Sequence, residues 1–229
     1  MTVRRVALLT LALLAPLPAS ADCVVLLHGL ARGTGSMKPL EWLLRHEGYR
    51  VVNHGYPSTE APVEVLAETI TAAVADCGDQ RVHFVTHSMG GILLRVWLTR
   101  QRPLRMGRVV MLAPPNQGSE LVDVLGDWAA FGWLNGPAGA QLGTGPGSLP
   151  RALPPVTVPV GVIAGSLSSN PLSARLLPGP DDGKVSVAAT HVAGQADHLT
   201  VPITHTFIMD DPRVMRQAVA FLRGGAFSR

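Results

Sequence analysis

The sequence is short of charge, of aromatic rings and of cysteine, and each shortage removes a class of explanation. Charged residues make up 15% of the 229 residues against 47% hydrophobic ones, a balance that can bury a core and lies far from that of disordered chains. Lysine is almost missing: 17 arginines are scattered along the chain with only Lys38 and Lys184 beside them, and no dense basic block forms. Nothing here recommends nucleic acid as a partner. Aromatic residues are 5% of the chain. The two cysteines, Cys23 and Cys77, are too far apart for a C-x-x-C motif, which removes a redox or zinc reading and leaves no metal or organic cofactor implied.

The first residues carry what little patterning the N-terminus has. Arg4 and Arg5 precede an apolar run over 6–14, and Ala19-Ser20-Ala21 closes the segment. This is the three-part signature of a cleavable signal peptide over 1–21. The rival reading, a membrane anchor, fails on length, because Pro16 and Pro18 interrupt a run already shorter than the ~20 apolar residues that span a bilayer. A lipid anchor on Cys23 is disfavoured by Asp22, where a small residue belongs. Cleavage after Ala21 removes both arginines and no acid, taking the formal charge from +3 to +1. The expectation is a periplasmic or secreted protein with one domain over 22–229. In an oxidising compartment two cysteines form one disulfide, Cys23–Cys77, unless both are buried thiols.

Short apolar runs at 23–27, 82–87, 107–113 and 156–164 alternate with helical patterns. Helices are expected over 37–47, over 62–77 with Val63, Leu66, Ile70 and Val74 on one stripe, over 92–101, over 119–131 and over 211–223. The glycine- and proline-rich stretch 132–155 reads as a long loop, either a cap over a site or a plain surface excursion. Strand alternating with helix predicts an α/β fold with a doubly wound, mostly parallel sheet and helices on both faces.

The segment Val82-His83-Phe84-Val85-Thr86-His87-Ser88-Met89-Gly90-Gly91 is the most informative. An apolar strand enters a tight turn with a serine at its apex, and two glycines open a helix, the pattern of a nucleophile elbow. With His28-Gly29-Leu30 after the first strand, it resembles the α/β-hydrolase superfamily, and most of all its small bacterial lipases and esterases. Thr86 departs from the usual glycine two residues before the serine.

That resemblance implies a serine hydrolase cleaving carboxylic esters of lipids or other acyl groups through an acyl-enzyme intermediate. Alternatives on the same scaffold are an acyltransferase, a thioesterase, an amidase or a non-catalytic binding module. Small-molecule or lipid esters, with a possible lipid-surface contact, are the implied partners; no protein partner is. Ser88 is the expected nucleophile, with the backbone N–H groups of Leu30 and Met89 as the oxyanion hole. The acid must follow the serine and precede the base; Asp182, in Asp182-Gly183-Lys184-Val185, resembles the family's acid turn, and Asp181 is its rival. For the base, His205 follows a final strand expected over 199–204, while His198 precedes that strand and His191 is a third candidate. His28 and His87 read as structural. Leu30, Met89, Trp128, Trp133 and Leu134 are candidates for an apolar acyl pocket. The same resemblance puts both cysteines at the amino-terminal edge of the sheet, where a disulfide braces the side opposite the site.

Overall fold

The apolar runs become the strands of one parallel sheet because each is covered on both faces. The structure, a computed structural model, describes residues 21–125, 129–168 and 173–229; the expected signal peptide, apart from Ala21, and Trp128 lie outside the described residues. Strands β1 (Cys23–Leu27), β2 (Arg50–His54), β3 (Val82–His87), β4 (Met106–Leu112), β5 (Val160–Gly165) and β6 (Asp197–Val201) pair in the order β2-β1-β3-β4-β5-β6. Every pairing is parallel. The helices are α1 (Lys38–His46), α2 (Val63–Glu68), α3 (Ile70–Ala75), α4 (Met89–Leu98), α5 (Glu120–Leu125), α6 (Ala129–Ala140), α7 (Leu149–Ala152), α8 (Ser173–Leu176) and α9 (Pro212–Gly224).

Strand β1 shows how the layers are filled. Val24 and Leu26 join a core with Leu40 and Leu44 of α1 and Ala218 and Phe221 of α9. Cys23, Val25 and Leu27 join a second core with Leu66 of α2, Ile70 of α3 and Ile92 of α4. Alternate residues therefore enter opposite cores, and a polar residue at either parity would forfeit about 1.5–3 kcal/mol of apolar burial.

Three boundaries differ from the sequence pattern. The helix expected over 62–77 breaks at Thr69, whose hydroxyl donates to Leu66 O (2.7 Å) and meets His54 Nε2 (2.8 Å); its N–H also turns to Leu66 O (3.2 Å), tightening the turn. The expected loop 132–155 contains the rest of α6 and all of α7. Gly136 kinks α6 (φ 61°), and Pro137 starts the next helical segment, where a missing N–H costs nothing. The final strand ends at Val201, since Pro202 has no N–H to continue the ladder and Ile203 N–H turns back to Val201 O (2.8 Å). His198 is therefore inside β6, not before it.

Helix α4 is buried along almost its whole length, including Arg95. The guanidinium donates to Asn116 O (3.0 Å) and Oδ1 (3.2 Å) through Nη1, and to Leu153 O (3.1 Å) through Nη2. Burial lowers its pKa to about 10. These carbonyls satisfy a cation that has left water, and they tie the segments after β4 and before β5 to the central helix.

Cys23 and Cys77 are disulfide-bonded, with Cα atoms 5.7 Å apart, at the start of β1 and just past α3. The bond closes a loop with a sequence separation of 54, for which the chain-entropy model gives about 4 kcal/mol of stabilisation. Urea unfolding with and without reductant is expected to show a clearly lower midpoint for the reduced chain. Coincident curves would mean that the bridge contributes nothing.

Candidate active site

Strand β3 carries Ser88 past its carboxyl end into a strained turn. Ser88 has φ 52° and ψ −124°, and its N–H donates to Leu112 O at 2.8 Å. Among the described residues the non-glycine positions with positive φ are Ala31, Ser88 and Ala113, which follow β1, β3 and β4 at the same edge of the sheet. Such conformations cost about 1–3 kcal/mol each and persist only where the surroundings impose them. Gly90 allows α4 to start there, because a Cβ at that position would lie 2.6 Å from Leu27 O and 2.7 Å from His28 O. Thr86, the departure from the usual motif, is buried beside Gly91, where a Cβ would come within 3.3 Å of its hydroxyl. The bare glycine gives the threonine its space.

Ser88, His205 and Asp182 come together from three distant segments. His205 Nε2 lies 3.0 Å from Ser88 Oγ, and His205 Nδ1 lies 2.8 Å from Asp182 Oδ2. The other carboxylate oxygen of Asp182 accepts the N–H groups of Lys184 (3.0 Å) and Val185 (2.8 Å). His205 also donates its backbone N–H to Asp182 O at 2.9 Å. Both side chains are buried. With its Nδ1–H given to the carboxylate, the imidazole has a lone pair on Nε2 facing the serine hydroxyl. The chain reaches this geometry at Gly165, where a Cβ would lie 2.7 Å from Asp182 Cβ and 2.4 Å from Ile203 O. Asp181 is turned away: its Oδ1 accepts Gly183 N–H at 2.7 Å, closing its own turn.

The remaining histidines are placed by equally specific bonds. His28 Nε2 accepts Tyr56 N–H (3.4 Å), so its Nδ1–H donates to Gly29 O (2.9 Å). Tyr56 stacks on the ring at 4.0 Å and donates its hydroxyl to His28 O. Burial lowers the pKa of His28, keeping it neutral in this clamp on the loop that leads to Leu30. His87 is buried, and its pKa is held well below the ordinary value by burial first and by His205 second. Its Nε2–H donates to His205 O at 3.1 Å. The residue read as packing from the sequence thus anchors the backbone of His205. The Thr190 hydroxyl donates to Val187 O, so His198 Nε2–H donates to Thr190 Oγ1 (2.9 Å); the ring stacks on His191 at 3.9 Å, and burial lowers its pKa to about 4. Neither His191 nor His198 lines the cavity at Ser88.

That cavity has a volume of about 210 Å³ and is lined by Leu30, Leu121, Val122, Leu142 and Val185 together with polar groups. Leu30 faces it as expected. Met89 does not, because its side chain is fully buried in the core with Ile92 and Leu93; as the first residue of α4, its backbone N–H has no intrahelical acceptor. The side chains of Trp133 and Leu134 lie outside the described residues. Arg32, Asn135 and Lys184 also line the cavity, and no local pattern in the sequence marked them. Among the described residues no group of three or more histidine, cysteine or carboxylate side chains is arranged to hold a metal ion.

Solved structures repeat this arrangement of sheet and helices. The mature form of the Bacillus licheniformis lipase BlEst2 is 19% identical, with a TM-score of 0.67 over 90% of this chain and 92% of that one. The chain has the α/β-hydrolase fold. Phospholipase PlaB from Legionella pneumophila, also 19% identical, superposes with a TM-score of 0.67 over 88% of this chain and 57% of that one. The metagenomic carboxyl esterase MGS0156 is 20% identical, with a TM-score of 0.64 over 89% and 71%. No protein-family model matches the sequence, and no curated protein is similar to it. In the α/β-hydrolase fold as this chain builds it, the strands β1, β3, β5 and β6 all release their chains toward one edge, and Ser88, Leu30, Asp182 and His205 follow those strands in the sequence.

Proposed function

We propose that the chain is an exported serine hydrolase acting on carboxylic esters of small acyl or lipid compounds, with residues 22–229 as its catalytic domain. The observation that carries this reading is the continuous line from Ser88 Oγ to His205 Nε2 (3.0 Å) and from His205 Nδ1 to Asp182 Oδ2 (2.8 Å) at a strained elbow. The printed names of the structural neighbours, a lipase, a phospholipase and a carboxyl esterase, support ester chemistry. The disulfide and the leader pattern support export to a periplasmic or external location.

In the proposed reaction Ser88 Oγ attacks the ester carbonyl while its proton passes to His205 Nε2. The carbonyl electrons move to the oxygen, which the N–H groups of Leu30 and Met89 receive. Collapse expels the alcohol, protonated by His205, and leaves an acyl-Ser88. Water, deprotonated by the same histidine, then releases the acid and restores the serine. Asp182 holds the Nδ1–H tautomer throughout and stabilises the imidazolium.

A fluorophosphonate probe is expected to label folded protein at Ser88, and p-nitrophenyl esters to be hydrolysed best at short chain length, since about 210 Å³ is below the roughly 300 Å³ at which drug-sized pockets begin. Folded protein that takes no label and hydrolyses no ester in the series would refute the proposal.

A further inference from the structure

The cavity beside Ser88 has an unbalanced charge. Two of its described lining residues, Arg32 and Lys184, are cations, and none of the described ones is a carboxylate. In a chain with only two lysines, Lys38 is paired with Glu41 at 2.9 Å. Lys184 and Arg32 take part in none of the ion pairs of the described residues. They also act on each other: the Lys184 ammonium has its pKa lowered by burial first and by Arg32 second, with Asp182 pulling the other way. Asp182 offsets the Lys184 charge only in part, and its oxygens are engaged by two backbone N–H groups and by His205 instead of by either cation. The Arg32 charge is also felt by Asp210, which is exposed and outside the described cavity lining.

Two like charges lining a small cavity, with no carboxylate among its described lining residues, make a place for an anion. A guanidinium offers a planar fork and an ammonium a mobile point charge, and together they suit a carboxylate or a phosphate. We propose that Arg32 and Lys184 form an anion subsite, so that the substrate is a small acyl ester carrying a carboxylate or phosphate group near the scissile bond. This rests on the ester-hydrolase reading of Ser88. It adds the substrate's charge and places the specificity in two side chains on separate loops, one after β1 and one after Asp182.

The test compares three soluble esters with the same acyl group: 4-butyryloxybenzoate, 4-butyryloxyphenyl phosphate and the neutral 4-butyryloxybenzamide. For Arg32→Gln and Lys184→Met, the ratio of kcat/KM on each anionic ester to that on the neutral one is expected to fall about tenfold relative to the unmodified protein, mainly through KM. The larger fall of the two anionic arms identifies the preferred group. A ratio unchanged by both substitutions would overturn the proposal. So would an equal loss on all three esters, which would assign the cations to the developing oxyanion. A second readout does not need turnover. Calorimetry on Ser88→Ala protein is expected to show 4-butyramidobenzoate binding tighter than 4-butyramidobenzamide, with the difference lost when Arg32→Gln is added. Anion preference in binding with no hydrolysis of any ester would sink the hydrolase reading alone; hydrolysis without anion preference would sink the subsite alone.

Discussion

Ser88→Ala protein is expected to hydrolyse p-nitrophenyl butyrate with kcat lower by roughly four to six orders of magnitude, the range seen when a nucleophile that acts as a unit with its base is removed. The fold should survive the change. The substitution removes one hydroxyl, whose partner among the described residues is His205 Nε2. Circular dichroism should superimpose on that of the unmodified protein, and the fluorophosphonate label should disappear. A variant that keeps more than about one hundredth of the activity would place the nucleophile elsewhere, since the residual rate from binding and the oxyanion hole alone is far smaller.

Asp182→Asn is expected to lower kcat by about four orders of magnitude, with a near-normal KM. The reason lies in what holds the carboxylate. Oδ1 accepts the N–H groups of Lys184 and Val185, and an asparagine oxygen can keep both bonds. The new amide must then point its NH₂ at His205 Nδ1, which was donating to Oδ2. Two donors face each other, so the imidazole is driven to the tautomer with its proton on Nε2, where it can no longer accept the serine's proton. Asp181→Asn preserves the single bond from Gly183 N–H and should change kcat only slightly. A large loss at Asp181 and none at Asp182 would overturn the assignment of the acid.

These two aspartates show where local pattern stops. They are adjacent and in the same turn, and within residues 181–185 only the resemblance of Asp182-Gly183-Lys184-Val185 to the family's acid turn favours one of them. The separation comes from Gly165 and His205, distant in the chain, which leave room for one carboxylate and supply its partner. The histidines divide in the same way. His205 lies beyond a strand's carboxyl end both in the sequence pattern and in the structure, although β6 runs over Asp197–Val201 and contains His198. His198 is excluded by its place in the ladder beside Val162 and its bond to Thr190.

The elbow was readable because a strained serine turn demands a small residue wherever backbones touch, and Gly90 sits where a Cβ would strike two carbonyl oxygens. The strands were readable because burial on both faces writes a continuous apolar run. Those demands are local, and the amino-acid sequence by itself determined the α/β architecture, the elbow at Ser88 and the two cysteines available to bridge. Tertiary structure alone decided which aspartate meets which histidine, that His87 bonds the backbone of His205, that the Met89 side chain is no part of the cavity wall, and that Arg32 and Lys184 share one cavity. Each of these depends on chain segments separated by tens of residues, whose meeting is set by strand register and sheet order and leaves no periodicity in the sequence.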